Sequence, residues 1–229
     1  MKRALILIAL AGLTAVLAAP AMAGTHDNAV VALHIQARAK KPTLICFEES
    51  PNAKGVACSQ FTLTGGLDTA YDVYLMIARG DSTTNGLAGL SCGIRYNESV
   101  SMFGWELCSD LEFPNGGWPN SEAGNRITWS PLSNCQRTEV GDEGTQTAAG
   151  AFYVFAYGAG NMFITKNENL VIPELAVADC NAAETQLEVT RGGIVAFGDA
   201  SVAPCNPCLM ECMGVPVEPT TWGKLKTKY

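Results

Sequence analysis

Histidine is scarce in this sequence, and its scarcity limits the chemistry that the chain can support. The 229 residues contain two histidines, His26 and His34, both close to the N-terminus. Ser/His/Asp and Cys/His catalysis need an imidazole base beside the nucleophile. His-Glu-x-x-His and a phosphate-binding glycine loop are also absent from the sequence. We therefore predict a protein that is not an enzyme.

Paired carboxylates offer an alternative, because two of them can hydrolyse a glycosidic bond. Glu106, Asp110 and Glu112 alternate around Cys108, which places some of them on one face of a strand. We expect these side chains to be ordinary solvent-facing groups. A carbohydrate-active hydrolase remains the alternative.

Basic residues are also few. The chain has 15 Lys and Arg against 22 Asp and Glu, a formal net charge of −7. Proteins that bind nucleic acid neutralise phosphates with clustered Lys and Arg. The acidic balance therefore predicts no nucleic-acid partner.

Long hydrophobic runs are missing except at the N-terminus. Two basic residues precede the uncharged stretch 4–19, and residues 21–23 have the small-x-small pattern of a cleavage site. We predict a signal peptide over 1–23. The stretch is shorter than the ~20 residues of a spanning helix, so no membrane span is expected in the mature chain. The mature protein is predicted to be secreted, extracellular or on the cell surface, with the periplasm as the alternative.

Helical periodicity is absent from the rest of the chain. Short runs of β-branched and aromatic residues alternate with Gly, Asn, Asp and Pro clusters, as in 28–37, 71–78 and 149–157. This pattern favours an all-β antiparallel sandwich over a fold with crossover helices. We place the sandwich domain at 24–200 and assign 201–229 to a Cys/Pro-rich linker and a basic tail.

Cysteine, by contrast, is abundant, and all nine cysteines follow the predicted signal peptide. An exported chain of this kind predicts a disulfide-reinforced scaffold. Spacing alone cannot fix the connectivity, so the pairs are hypotheses: Cys46 with Cys58, Cys108 with Cys135, and Cys92 with Cys180.

The last three cysteines, Cys205, Cys208 and Cys212, form a separate cluster. A redox Cys-x-x-Cys needs a βαβ context that is missing here, and no histidine is near to complete a metal site. We expect structural disulfides that tie down the tail. An intermolecular or spare thiol, and a redox or metal site, are the alternatives. Nine is odd, so at least one thiol is left over or pairs outside the chain.

Trp118 is the candidate ligand contact, because it lies in a Gly/Pro/Asn-rich loop where core side chains are unusual. An exposed ring there would contact a sugar or a partner. The alternative is that it anchors the loop. Other aromatic residues are predicted to pack in the core and across strands: Trp105, Trp129, Phe152, Tyr153 and Phe155.

Two metal sites are further hypotheses, and no other cofactor is expected. Asp81 and Asn85 lie in a polar loop, as do residues 142–143, and their oxygens suit a structural calcium ion. Signal-peptide removal would make His26 the third residue of the mature chain. An α-amine, two amides and that imidazole suit square-planar Cu(II) or Ni(II).

The C-terminal residues 222–229 carry three lysines in an acidic protein. A solvated, frayed terminus is one interpretation. The other is a signal that engages a sorting or surface component.

Two segments resemble the start of cohesin-like bacterial sandwich modules. They are 71–78, an apolar strand, and 86–97, which begins Gly-Leu-Ala-Gly and ends Tyr-Asn. The resemblance covers roughly 59–200 and implies a jelly-roll or immunoglobulin-like sandwich in which the two strands are neighbours in one sheet. The cysteine-rich frame, which cohesins lack, is similar to that of uncharacterised secreted bacterial proteins. Because one fold hosts many activities, the resemblance implies little about function.

Together these features predict a secreted or cell-surface module that binds or supports other molecules without catalysis. Its expected ligand is an extracellular protein or a glycan. A carbohydrate-binding module or a carbohydrate-active hydrolase is the alternative.

Overall fold

The computed structural model describes residues 25–38, 45–48, 53–81 and 85–213, so the predicted signal peptide and the basic residues 222–229, with their predicted sorting role, lie outside the described residues. The described strands are β1 Val30–Ala37, β2 Thr64–Gly65, β3 Ala70–Gly80, β4 Leu87–Tyr96, β5 Val100–Leu107, β6 Leu111–Asn115, β7 Gly124–Thr128, β8 Thr145–Ala156, β9 Gly160–Thr165, β10 Ala176–Asp179, β11 Glu184–Gln186 and β12 Ile194–Phe197. One short helix, α1, spans Ile45–Glu48, and 3-10 turns span Cys58–Gln60 and Val189–Arg191. In these ranges no helix has the length and apolar character that crossing a bilayer requires.

The strands form two sheets. Sheet A has the order β1-β3-β8-β5, and all its pairs are antiparallel. Sheet B has the order β11-β10-β4-β9-β12-β2, with β7 also paired to β4 and β6 paired to β7. Its pairs are antiparallel except for β2 with β12. The predicted all-β sandwich is confirmed.

The two segments that resemble cohesins lie in different sheets, so the prediction that they are neighbours is wrong. The first lies in β3, which pairs with β1 and β8 in sheet A. The second begins at Gly86 and continues as β4, which pairs with β7, β9 and β10 in sheet B. The connection between them is a crossing between sheets and not a hairpin turn, and both strands face the same core from opposite sides.

The core between the sheets is built from alternate residues of the longest strands, as the period of a β-strand requires. Sheet A contributes the inward positions of β3, and sheet B contributes those of β4: Val73, Leu75, Ile77, Leu90, Cys92 and Ile94. All of these side chains are buried. Trp129 and Phe152 also belong to this cluster, as predicted, whereas Trp105 packs at its margin.

Two further segments cover outer faces of the sandwich. Residues 45–61 contribute Ile45, Ala53, Cys58 and Phe61 to a second buried cluster, which includes Tyr74 and other outward side chains of sheet A. Residues 202–212 form a third cluster with Phe163 and Ile194 of sheet B. Cys205 and Ile194 exchange backbone hydrogen bonds of 2.9 and 3.1 Å. Residues 201–213, predicted as part of a linker, are therefore an ordered layer of the domain.

Four disulfides tie these layers together, with pairings that differ from all three predicted pairs. They are Cys46–Cys108, Cys58–Cys208, Cys135–Cys180 and Cys205–Cys212. The first joins the 45–61 segment to the chain just after β5, and the second joins it to the C-terminal layer. The local pairings were wrong because the layers bring together cysteines that are far apart in sequence.

Cys92 is the unpaired cysteine, so its predicted bridge to Cys180 is wrong. Its side chain points from β4 into the core and is fully buried. Burial raises the pKa of its thiol to about 12. The odd thiol is thus a core residue, inaccessible to a partner chain, and all three cysteines of the 205–212 cluster are bridged.

Candidate binding surface

The carboxylates that suggested hydrolysis are each engaged in structural hydrogen bonds. Glu106 accepts the backbone N–H groups of Ile45 and Cys46, both at 2.9 Å. Asp110 accepts the backbone N–H of Ser130 at 2.6 Å. These bonds fix a helix start and a loop. Asp110 is exposed, as predicted, whereas Glu106 is half-buried, so the prediction of a plain solvent-facing group is corrected for Glu106.

Glu112 is also an internal anchor. Its Oε2 accepts the indole N–H of Trp105 at 2.9 Å and the side-chain amide of Asn125 at 2.7 Å. It therefore links the edge strand β5 of sheet A to strands β6 and β7 of sheet B. Glu112 therefore connects the two sheets through hydrogen bonds.

Both histidines are buried and hydrogen-bonded to backbone. Nδ1 of His26 accepts the N–H of Asp81 at 3.0 Å, so Nε2 carries the proton and donates to the carbonyl of Gly86 at 2.9 Å. Both ring nitrogens are thus engaged within the fold, and copper or nickel binding at His26 stays a prediction. Nδ1 of His34 accepts the N–H of Thr62 at 3.0 Å. Burial lowers the pKa of His34 to about 4, so it is neutral at pH 7.

Three of the four residues suggested for calcium line one cleft. Asp81 lines an open polar cleft of about 660 Å³ together with His26, Arg79 and residues 142–144. Asn85 does not line this cleft, and its amide donates to Asp179 at 3.0 Å. The described ranges contain no group of three or more His, Cys, Asp or Glu side chains placed to hold a metal ion. The calcium site therefore stays a prediction.

Trp118 lies half-buried against two other aromatic rings. Its ring centroid is 5.2 Å from that of Trp105, in an edge-to-face arrangement, and 5.4 Å from that of Phe152. It joins the margin of the inter-sheet core. This geometry is that of a loop anchor, the alternative reading of this residue.

A row of aromatic side chains lies instead on the outer face of sheet A. We call Phe103, Tyr153, Phe155 and Tyr157 the aromatic strip. Phe103 is 55% exposed and Tyr157 is 61% exposed, while the two residues between them are half-buried. Ring centroids are 5.6 Å apart for Phe103 and Tyr153, and 4.5 Å apart for Phe155 and Tyr157.

Strand geometry explains why the strip forms. Tyr153 and Phe155 occupy alternate positions of β8, so both point away from the core while Phe152 and Val154 point into it. Phe103 lies in an irregularity of the β5–β8 pairing, between Met102 and Gly104. The prediction of core packing is therefore wrong for Tyr153 and Phe155, whereas the predicted cross-strand packing is confirmed for Tyr153, whose ring contacts that of Phe103. The sequence signal was present, since residues 153, 155 and 157 are aromatic with a period of two.

Small residues flank the strip on the same face of the sheet. Phe155 pairs with Ala70 of β3 and Ser101 of β5, and Tyr153 pairs with Gly104. A Cβ atom placed on Gly104 would have no neighbour within 4 Å. Ser101 and Gly104 lie on either side of Phe103 along β5, and we call the shallow space over these two small residues the trough.

The strip carries little unpaired charge. The guanidinium of Arg38 lies 4.0 Å from the ring centroid of Tyr153, a cation–π contact. The same group forms an ion pair with Asp72 at 2.6 Å. Because the two charges neutralise each other beside the rings, the surface is aromatic, neutral and open.

Comparisons with known proteins give only distant structural similarity and say nothing about the site. No protein-family model matches this chain, and no curated protein matches it. A solved cohesin module from a Clostridium perfringens family 33 glycoside hydrolase is similar, with a TM-score of 0.41 and 9% identity over 74% of this chain and 97% of that one. The sixth cohesin of Acetivibrio cellulolyticus scaffoldin B, solved with a dockerin, has a TM-score of 0.40 and 10% identity over 74% and 98%. A Clostridium thermocellum cohesin–dockerin complex gives 0.39 and 13% over 59% and 88%. The likeness to cohesins is distant and at the level of the fold.

Proposed function

We propose that this chain is a non-catalytic binding module and that the aromatic strip is the surface that contacts a protein partner. The observation that carries the proposal is the contiguous exposure of four aromatic side chains on one sheet face, with Tyr157 61% and Phe103 55% exposed. Aromatic residues are enriched at protein interfaces, where they supply much of the binding energy. A soluble protein exposes such a patch chiefly where something binds.

Ring geometry favours a protein over a sugar. The rings of Phe103 and Tyr153 tilt by 40°, and those of Phe155 and Tyr157 by 42°. The rings thus pack against one another and do not form a flat platform. A protein partner with protruding apolar side chains fits this uneven surface. A carbohydrate-binding module is the second candidate, favoured by the exposed hydroxyl-bearing ring of Tyr157.

We propose that the module is non-catalytic because the candidate reactive side chains are engaged in structural hydrogen bonds. Glu106, Asp110 and Glu112 hold backbone or side-chain donors. His26 and His34 are buried and bonded to backbone. Each group is consumed in structure, whereas catalysis needs it free to meet a substrate.

The disulfides support an extracellular location for this function. Four bridges suit a protein that folds in an oxidising environment, such as the cell exterior. Together with the export signal expected at 1–23, they favour a partner that is secreted or displayed on the cell surface. The periplasm remains the alternative.

Site-specific photo-crosslinking tests the proposal. A photoreactive phenylalanine analogue is placed at Tyr157 in one protein and at Leu132, an isolated exposed residue, in a control. Each protein is incubated with the extracellular and envelope fractions of the source organism, irradiated and analysed by mass spectrometry. We expect a discrete protein adduct from position 157 and none from position 132.

A glycan array separates the two candidates. Binding of a defined glycan that is lost in Phe103→Ser, with no protein adduct at position 157, would replace the protein partner with a sugar. Equal adducts from positions 157 and 132 would remove the strip as the binding surface.

A further inference from the structure

The two edges of sheet A differ in how their backbone groups are satisfied. At the β1 edge, Gly193 N–H donates to the carbonyl of Val31 at 2.8 Å, and Ile35 N–H donates to the carbonyl of Thr62 at 2.9 Å. Neighbouring segments thus close that edge. Strand β5 forms the opposite edge, where β8 is its paired strand.

The phase of the β5–β8 ladder identifies which β5 groups point outward. Cys108 N–H donates to Ala149 and Tyr157 N–H donates to Ser99, both at 3.0 Å. Counting in steps of two from these bonds, the backbone groups of Ser101, Gly104 and Glu106 face β8. Those of Met102, Trp105 and Leu107 therefore face away from it.

These outward groups have no backbone partner among the described residues, and none of the three residues has an interaction beyond those already accounted for. A row of unpaired N–H and C=O groups at a sheet edge is a template for another strand. The other sheet protects its edge strand β6 with Pro114. Strand β5 contains no proline and no lysine.

We propose that the partner adds an extended strand to the free edge of β5 and lays alternate apolar side chains in the trough against the aromatic strip. This inference rests on the proposed function and names the form of the partner segment. Main-chain hydrogen bonds would hold the strand, and the strip would select its side chains. The trough floor at Ser101 and Gly104 is small enough to receive those side chains.

Charge also points to an apolar, uncharged segment. The one ionisable side chain of β5 is Glu106, and its carboxylate already accepts two N–H groups of α1. Arg38 and Asp72 neutralise each other beside Tyr153. No unpaired charge on this edge calls for a charged partner.

A second copy of this chain is a poorer occupant than a foreign strand. Antiparallel pairing of Trp105 with Leu107 of a second copy would place the two Glu106 side chains opposite each other, which is unfavourable.

Peptide selection followed by matched variants tests the proposal. Random linear peptides displayed on phage are selected against the full mature protein, and the affinity of the best peptide is measured for three variants. Met102→Pro removes an outward N–H without touching the β8 ladder, and Met102→Val is its control because it keeps that N–H. The double variant Phe103→Ser/Tyr157→Ser removes the exposed ends of the strip.

We expect selected peptides with apolar residues at alternate positions, and binding about fivefold to tenfold weaker in Met102→Pro, the effect of about one hydrogen bond. Met102→Val should retain the affinity. Hydrogen exchange of the wild-type protein should show the amides of Met102, Trp105 and Leu107 becoming protected when the peptide binds. This measurement does not depend on the folding of any variant.

The outcomes separate the two proposals. Loss of binding in the double variant, with Met102→Pro unaffected and no new protection on β5, would leave the strip as a binding surface and overturn strand addition. Peptides that bind elsewhere, or no enriched peptide at all, would overturn both.

Discussion

The outer face of sheet A is covered at one end and borders the open surface at the other, although the strand geometry is the same at both ends. One row of paired residues is covered by the 45–61 segment: His34, Tyr74, Ala151 and Glu106. The neighbouring row, two residues further along each strand, borders the open surface: Gln36, Asp72, Tyr153 and Gly104. On this face, an outward aromatic side chain is buried where the 45–61 segment lies over it and borders solvent where that segment does not.

Two disulfides and a ring contact hold the cover. Cys46–Cys108 attaches it near β5, and Cys58–Cys208 attaches it to the C-terminal layer. Phe61 stacks on His34 with ring centroids 5.0 Å apart. These contacts hold the described parts of the 45–61 segment over the covered row.

The largest expected effect comes from releasing the cover. Cys58→Ser/Cys208→Ser opens a bridge between residues 150 apart in sequence and should lower the free energy of unfolding by about 4 kcal/mol. Cys205→Ser/Cys212→Ser, which opens a bridge across 7 residues, is the matched control and should cost about 2 kcal/mol. Chemical denaturation measures both. Equal losses would show that the cover is not anchored by the long bridge.

A pair of tyrosine truncations compares the two ends directly. Tyr74 is fully buried under the cover, so Tyr74→Ala should cost about 3–5 kcal/mol, as large core truncations do. Tyr157→Ala, at the exposed end of the strip, should change the free energy of unfolding by less than about 0.5 kcal/mol. Urea denaturation of both variants is the measurement. A large loss from Tyr157→Ala would mean that the strip is structural.

Lowering the pH should reduce the free energy of unfolding through protonation of His34, which lies under the cover. The unfolded chain takes up a proton on this residue below about pH 6.5, whereas burial holds the folded pKa at about 4. The free energy of unfolding should therefore fall as the pH drops through this window, by about 3 kcal/mol at its lower end. His34→Gln removes the titrating group, so its unfolding should lack this component. Parallel pH dependences for the wild type and the variant would contradict the assignment.

The smallest change in the free energy of unfolding is expected at one glycine of sheet A, and a second glycine of the same sheet serves as the comparison. A Cβ on Gly104 meets nothing within 4 Å, so Gly104→Ala should change the free energy of unfolding by less than about 1 kcal/mol. A Cβ on Gly150 would lie 2.2 Å from the ring of Trp105, so Gly150→Ala should cost about 1–3 kcal/mol. Thermal denaturation compares them. A destabilised Gly104→Ala would show that the trough is filled.

Local patterns predicted the fold well where strands are long. The alternation in 71–78 and 149–157 located most of β3 and the second half of β8. Strand β6 was missed because Pro114 masks it, and an edge strand tolerates proline.

The site was less predictable because strand alternation does not say which face is covered. Phe152 and Tyr153 are adjacent and equally aromatic, yet one is buried and the other borders solvent. The cysteine pairs failed for the same reason, since Cys58 and Cys208 meet where two distant layers touch. Both outcomes depend on long-range packing that no local window contains.

Hydroxyl-radical footprinting of the native protein with its captured partner tests the central claim most directly. The account predicts that oxidation of Phe103, Tyr153, Phe155 and Tyr157 falls when the partner binds, while oxidation of the exposed Leu132 and Val171 is unchanged. Unchanged oxidation of the four aromatic residues, with protection elsewhere on the molecule, would contradict it.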